Sequence, residues 1–306
     1  MSDSDRNSGR AKSDLKKVLR YKDISIVIIT VVLLAIFSQV SDAFLTRENL
    51  FVILKTMPEL GIVAIGMTML IISGEFDLSV GSTFALAPFI MAALNEQAGF
   101  HPVLALFMCI LAGLAIGCIN GVITTKIGIP SFITTLGTMM AWRGAVLLLS
   151  AGFPQAFSRD LPMARFFAGN ISGFPVQFIW FILFTILMWV VLEHTRFGNW
   201  TYVTGGNRSA AVAMGIPVDL VKIVNCMVLG GVTALAGAIQ VFRMGSAYSI
   251  AGQGMELQAI GATVIGGTLL SGGSGTVVGT IMGTVIIFSV ENIIVLSRAP
   301  AFWFRT

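Results

Sequence analysis

The sequence predicts an all-α protein, a polytopic transmembrane bundle of helices. Two observations support this prediction. Hydrophobic residues make up 56% of the 306-residue chain and charged residues only 11%, whereas soluble proteins carry roughly 25% charged residues. In addition, several apolar stretches approach or exceed the ~20 residues that a helix needs to cross a bilayer. The composition therefore excludes a soluble domain with a charged surface and a polar, disordered chain.

The N-terminal segment, residues 1–23, is predicted to be a cytoplasmic tail. It carries seven basic residues interleaved with four aspartates. Lysine and arginine beside a first membrane helix hold that end in the cytoplasm, which favours an orientation signal over a nucleic-acid-binding arm. The apolar run that follows lacks a cleavage site, so no removable signal peptide is predicted. Residues 24–306 then form the membrane domain.

Nine apolar segments are predicted as membrane helices. In order, they cover residues 24–40, 50–73, 78–94, 103–124, 131–150, 176–192, 221–242, 257–270 and 277–296. Broken helices are expected, because Lys55, Pro58 and Glu59 interrupt the second segment, which suggests a break or a kink there, and the short eighth segment runs into glycines. Counting from a cytoplasmic N-terminus places Lys126, Arg208 and Lys222 inside and Arg159, Arg165 and Arg243 outside. This distribution follows the positive-inside rule.

Polar residues at membrane depth are the strongest candidates for function, since a buried charge is costly unless it faces protein or water. The candidates for a polar path or a helix break are Glu59, Glu75, Asp77, Ser79, Thr134, Thr135, Arg143, Glu291 and Asn292. Asp77 is expected to cap the third helix in preference to contacting a substrate. Arg143 requires an acidic partner, for which Glu75 or Glu291 would serve. Glu291 is expected either to form that pair or to line a polar path.

The sequence contains no nucleophile–base pair, metal-ligand cluster or phosphate-binding loop. We therefore predict no catalytic residue, no metal site and no enzyme activity. The glycine run from Gly266 to Gly279 contains no lysine, so close helix packing is favoured over nucleotide binding. The three cysteines lie inside apolar stretches and are interpreted as packing residues.

The longest polar stretch after the N-terminus, residues 193–220, is predicted to hold a short helix that docks on another protein. Asn207 is placed to cap an alanine-rich helix, and Gly215 is placed to end it. The alternative is an ordinary connecting loop. The candidate docking residues are Gly206, Asn207, Arg208, Ala210, Ala211, Gly215 and Ile216.

Four stretches resemble the permease subunits of the carbohydrate-uptake ABC transporters, the branch that includes the ribose, xylose and autoinducer-2 systems. They are residues 74–82, with the sequence Gly-Glu-Phe-Asp-Leu-Ser-Val-Gly-Ser, residues 120–144, residues 206–216 and the glycine-rich residues 252–283. Their order and spacing cover most of the chain after Ile24. Three positions depart from the family pattern: Glu75 stands where glycine is frequent, Gln258 where aspartate is frequent, and Glu291 where asparagine is frequent.

The resemblance implies a permease of ten helices in the bacterial inner membrane, of which nine are visible in this sequence and a tenth is expected. It implies a pair of permeases, identical or paralogous, with two ATPase subunits inside and a periplasmic or extracellular sugar-binding protein outside. ATP and magnesium would be held by the ATPase, with no cofactor in this chain, and residues 206–216 would be the coupling helix. The cargo would be a monosaccharide or a similar small polyol.

Two other classes of transporter remain open at the level of the sequence. One is an ion-coupled secondary transporter of a small polar solute, with Glu75, Asp77 and Glu291 as proton or sodium sites. This reading leaves the docking segment unexplained. The other is a passive polyol channel, which would need neither a coupling segment nor partners.

Overall fold

The computed structural model describes residues 24–297, and these residues form helices joined by short loops. The helices are α1 (Ile24–Val40), α2 (Arg47–Ile72), α3 (Val80–Glu96), α4 (Pro102–Val122), α5 (Ser131–Ser150), α6 (Pro162–Ala168), α7 (Val176–His194), α8 (Arg196–Gly206), α9 (Arg208–Ala213), α10 (Val218–Met244), α11 (Met255–Ile265) and α12 (Val277–Leu296). A π-helical turn, Ile123–Ile127, extends α4. Four two-residue strands are β1 (Gln155–Ala156), β2 (Asn170–Ile171), β3 (Phe174–Pro175) and β4 (Ser246–Ala247).

Each of the nine predicted apolar segments is a helix in the structure, which confirms an all-α membrane bundle. The bounds of α1, α5 and α12 coincide with the predicted ones. By length and composition, six of the helices within residues 24–297 are long and apolar enough to cross a membrane, while α1, α3 and α11 are shorter. Nine spans are therefore not confirmed. The N-terminal tail and the expected position of a tenth helix lie outside the described residues.

The second helix does not show the predicted break. α2 continues through Pro58 as one helix of 26 residues. A proline inside a helix removes one backbone hydrogen bond and is destabilising by itself. Every residue from Met57 to Ile72 is buried, however, so packing on all sides holds this part of α2 in the helical conformation.

The centre of the bundle is formed by α2 and α10. α10 packs on α4, α2 and α3, and α2 also packs on α7, α11 and α12. Glycine brings α4 and α10 together, since a Cβ atom on Gly230 would lie 2.1 Å from the carbonyl oxygen of Gly113. Glycine also allows α12 to pack closely against the end of α11, since a Cβ atom on Gly279 would lie 2.0 Å from the carbonyl oxygen of Gly266. The predicted packing role of the glycine run is confirmed.

The loops collect at the two ends of α10, whose 27 residues extend for ~40 Å. At its C-terminal end β4 pairs antiparallel with β1, so that Gln155 lies opposite Ala247. Toward the opposite end of the bundle, the amide of Gly273 donates to the carbonyl oxygen of Ile72 (2.8 Å). The cationic residues that the sequence assigns to different sides of the membrane, such as Lys222 and Arg243, therefore lie near opposite ends of one helix.

Candidate functional site

The loop between α2 and α3 holds Asp77 in a buried network. Asp77 Oδ1 accepts a hydrogen bond from the amide of Ser79 (2.6 Å), and Oδ2 accepts one from Asn120 Nδ2 (2.9 Å). Asn120 Nδ2 also donates to Ser79 Oγ (2.8 Å). The N-cap of α3 is Ser79. Asp77 therefore accepts a backbone amide as predicted, but it lies two residues before the N-cap, and its contacts are with other residues of the chain.

Glu75, two residues earlier, forms an ion pair with Lys222 of α10. The distance from Lys222 Nζ to Glu75 Oε1 is 2.5 Å, and the two side chains are 16% and 15% exposed. Both residues line a polar cavity of about 280 Å³, together with Arg208 and Asp219. The predicted pairing of Glu75 with Arg143 is wrong, because Lys222 on the first turns of α10 is the nearer cation.

Arg143 of α5 binds backbone carbonyl groups. Its Nη1 donates to Ser249 (2.6 Å) and Ala251 (3.0 Å), and its Nη2 donates to Gly81 (2.9 Å). Arg143 pairs with neither Glu75 nor Glu291, so both predicted pairings are wrong. The physical reason is the non-helical segment 245–254, in which the carbonyl oxygens of Ser249 and Ala251 have no intrahelical partners. A guanidinium group, with five N–H donors, can satisfy several of them at once.

The two neighbouring polar residues of α12 have different partners. Asn292 exchanges two hydrogen bonds with Asn49 of α2 (2.8 and 2.9 Å), which fastens α12 to α2. Glu291 accepts a hydrogen bond from Gln258 of α11. Asn292 is therefore a contact between α12 and α2. Glu291 is only partly buried, so one side of its side chain remains exposed.

The remaining candidates lie apart from one another. Glu59 pairs with Arg243 of α10 (2.7 Å). Thr134 donates to the carbonyl oxygen of Ile129, just before α5 (3.3 Å), and Thr135 donates to that of Ser131, the first residue of α5 (2.7 Å). The nine candidates therefore form no single cluster, and only Asp77 and Ser79 are joined directly.

The predicted docking helix is α9. Asn207 is its N-cap, and Asn207 Oδ1 accepts a hydrogen bond from the amide of Ala210 (3.0 Å). Gly215 follows the end of the helix with φ +73°, a conformation that glycine adopts without strain. The predicted start and stop signals are confirmed. The buried residues Ala211 and Ile216 pack against the start of α10.

The exposed side of this segment is apolar. Val212 is 59% exposed and Met214 is 71% exposed, although both lie in a polar loop. Arg208, at the start of α9, lies 3.6 Å from Asp219, which also binds Lys126 at the end of α4 (2.8 Å). The helix α9 is thus tied to two other helices and presents apolar side chains outward.

Sequence reasoning missed several partner residues of the candidates. They are Asn120, Lys222, Gln258 and Arg243. A common signal was present, because each is a polar side chain inside or at the edge of an apolar helix, where it needs a partner. Their pairing could not be read from spacing, since the partners are 33 to 184 residues apart.

Comparisons with known proteins identify the family of this chain. The profile of the family described as the permease component of branched-chain amino acid transport systems matches residues 49–305. A ribose import permease of Bacillus subtilis is 38% identical over 89% of this chain and 84% of the relative. A xylose/arabinose import permease of Sulfolobus acidocaldarius is 34% identical over 91% of this chain and 79% of the relative.

A third relative is the autoinducer 2 import system permease of Photorhabdus luminescens, 32% identical over 94% of this chain and 87% of the relative. These proteins are permeases and not enzymes, which confirms the expectation that this chain transforms no substrate. They do not favour the ion-coupled alternative. The chain therefore belongs to this family of permease components, and it is a multi-pass membrane permease subunit of an ABC importer.

Proposed function

We propose that this permease carries a monosaccharide, or a similar small polyol, across the bacterial inner membrane. The observation that carries the proposal is the similarity to two pentose importers over most of the chain. The family description names branched-chain amino acids, but the relatives described above are named for sugars and autoinducer 2. The individual relatives are the more specific guide, because their similarity extends over most of their own lengths.

The partners follow from the role of an importer permease. ATPase subunits hydrolyse ATP, and a separate binding protein delivers the solute. We propose that the ATPase holds ATP and magnesium, and that this chain pairs with a second permease copy and with lipid. Much of α5 is uncovered in the single chain, where Met140 is 64% exposed and Leu148 is 86% exposed. Apolar side chains in such numbers require lipid or a neighbouring permease around them.

The proposed orientation places the N-terminus in the cytoplasm. Its support is the basic tail, residues 1–23, beside α1. With this orientation α9 lies on the cytoplasmic side, where the ATPase binds. Residues Val212 and Met214 would then enter a groove on the ATPase. Because α9 is anchored to α10 and linked through Asp219 to α4, movement of the ATPase would be transmitted to the membrane helices.

The energy source is tested by uptake into vesicles that contain this chain, its ATPase partner and the binding protein. Labelled ribose and xylose are supplied with and without ATP, and with the proton gradient collapsed by a protonophore. Uptake that requires ATP and survives loss of the gradient is the expected result. Uptake that follows the gradient and ignores ATP would overturn the proposal.

The coupling role of α9 is tested by Ala210→Glu. Ala210 is exposed, so the substitution leaves the fold intact while it places a charge on the docking surface. We expect loss of ATPase binding in a pull-down and loss of ATP-dependent uptake. A matched control is Ala98→Glu, in the exposed turn after α3 at the opposite end of the bundle. Normal ATPase binding and uptake in Ala210→Glu would contradict the assignment.

A further inference from the structure

One face of α11 and α12 is left uncovered by the rest of the described chain and carries a polar pair. On α11, Leu257 is 70% exposed, and on α12, Val290 is 38% exposed. The residues that follow these two in the sequence are Gln258 and Glu291, both partly exposed. Gln258 Nε2 donates a hydrogen bond to Glu291 Oε1, so the two side chains form one unit across the two helices.

This pair retains hydrogen-bonding capacity. Within residues 24–297, Glu291 forms no ion pair, and neither its second carboxylate oxygen nor the amide oxygen of Gln258 accepts a hydrogen bond. The sequence suggested Arg143 as a partner for Glu291, but Arg143 donates instead to three backbone carbonyl oxygens. A carboxylate oxygen and a carboxamide oxygen are therefore available on the open face.

The surroundings of this face must be polar. Glu291 lies five residues before the end of α12, which places it ~8 Å inside a helix long enough to span the membrane. A carboxylate in contact with hydrocarbon is unfavourable by several kcal/mol, and such residues face protein or a water-filled cavity. Lipid tails are thus a poor neighbour for Glu291, although they suit the purely apolar surface of a helix such as α7.

We propose that Gln258 and Glu291 line the translocation path and bind hydroxyl groups of the sugar as it passes. This inference rests on the proposed function, in which this subunit carries a monosaccharide or a similar small polyol across the membrane. A carboxylate accepts hydrogen bonds from hydroxyl groups, and a carboxamide both donates and accepts. The two planar groups, already joined to each other, match neighbouring hydroxyl groups of a polyol.

The first test asks whether the pair faces water. Glu291→Cys and Gln258→Cys are made in a chain whose Cys109, Cys118 and Cys226 are replaced by alanine, and membranes are treated with a water-soluble maleimide. A matched control is Leu187→Cys on α7, an apolar position that is 49% exposed. We expect the two path positions to react at least about fivefold faster than the control. Reaction as slow as that of the control would overturn the proposal.

Ribose is the probe for direct contact. A high concentration of ribose should slow the labelling of Glu291→Cys, because a bound sugar covers the thiol. An equal concentration of an osmolyte that is not a polyol should leave the labelling rate unchanged. Labelling that ribose leaves unchanged, at a position that water reaches, would contradict the hydroxyl-binding role.

The second test measures transport in the native-cysteine chain. Glu291→Gln removes the charge with little change in shape, and we expect ribose uptake to fall about tenfold while ATPase binding is unchanged. The exchange variant Gln258→Glu/Glu291→Gln restores one carboxylate and one carboxamide, and it should recover uptake to within about threefold of the native chain. Equal uptake in all three proteins, or a parallel loss of uptake and ATPase binding, would overturn the inference.

The two proposals fail in distinguishable ways. If the native chain takes up neither ribose nor xylose with ATP, the proposed function fails. The maleimide experiment then still decides whether Gln258 and Glu291 face water. If the native chain transports a pentose and Glu291→Gln does so equally well, only the inference about this pair fails.

Discussion

Glu59 of α2 and Arg243 of α10 form a bidentate pair inside the bundle. Arg243 Nε donates to Glu59 Oε1 (2.7 Å), and Nη2 donates to Oε2 (3.1 Å). Gln240, one turn earlier on α10, donates a third hydrogen bond to the same carboxylate (3.2 Å). The Glu59 side chain is only 6% exposed. Three donors thus compensate one buried charge and fasten the C-terminal end of α10 to α2.

Removal of one partner from this pair should be strongly destabilising. Glu59→Gln leaves the Arg243 guanidinium partly buried without its counter-charge, at a cost of about 3 kcal/mol in the free energy of unfolding. The double variant Glu59→Gln/Arg243→Gln should lose less than the sum of the two single losses, because neither charge is stranded. Thermal unfolding in detergent measures all three. Strict additivity would show that the pair contributes no coupling.

A surface ion pair provides the control for that experiment. Asp160 and Arg165 are 93% and 70% exposed and lie 3.4 Å apart. Asp160→Asn should change the free energy of unfolding by less than about 1 kcal/mol, since solvent screens exposed pairs.

The buried network of Asp77 predicts a second stability effect. Asn120→Ala removes the donor to both Asp77 Oδ2 and Ser79 Oγ. Asp77 Oδ2 then lacks its donor and Ser79 Oγ loses one of its hydrogen bonds, and we expect a loss of about 2 kcal/mol in the free energy of unfolding. Thr56→Ala is the control, because Thr56 donates only to a carbonyl oxygen of its own helix at an exposed site. Equal unfolding temperatures for the two variants would argue against a role for the network.

Close packing of α4 on α10 predicts a steric effect of a single methyl group. In Gly230→Ala the new Cβ atom would lie 2.1 Å from the carbonyl oxygen of Gly113, so the two backbones must separate. We expect a loss of about 2 kcal/mol in the free energy of unfolding. Gly144→Ala on α5 meets no atom within 4 Å and should be neutral or stabilising. The pair is compared by thermal unfolding, and a tolerated Gly230→Ala would refute the tight contact.

Arg143 predicts an effect of geometry at constant charge. Arg143→Lys retains a cation, but a single ammonium group cannot reach Gly81 and Ser249 at the distances that the guanidinium group spans. We expect faster amide hydrogen exchange in residues 245–254, with exchange in the central part of α2 unchanged. Arg165→Lys, at an exposed position, should alter neither region. Unchanged exchange in the segment would mean that Arg143 does not hold it.

Local signals predicted the helices well. Asn207 predicts the start of α9, because its side chain caps a backbone amide three residues along the chain. A break at Pro58 is not confirmed, since α2 continues through this residue, where the local signal is opposed by burial on all sides of the helix. Its packing depends on α7, α10, α11 and α12, which lie far away along the chain.

The sequence by itself determined that the chain is a helical membrane protein and that it contains a capped helix at Asn207. It also determined which family of transporters the chain resembles. Composition, hydrophobic run length and capping residues are local quantities, and they suffice for those conclusions. Only the tertiary structure decided which polar groups meet. Arg143 was matched to backbone carbonyl groups and not to the predicted carboxylates Glu75 and Glu291, and Glu291 was matched to Gln258. Hydrogen bonds form only within about 3 Å, and that distance depends on how the helices cross, not on the spacing of residues along the chain.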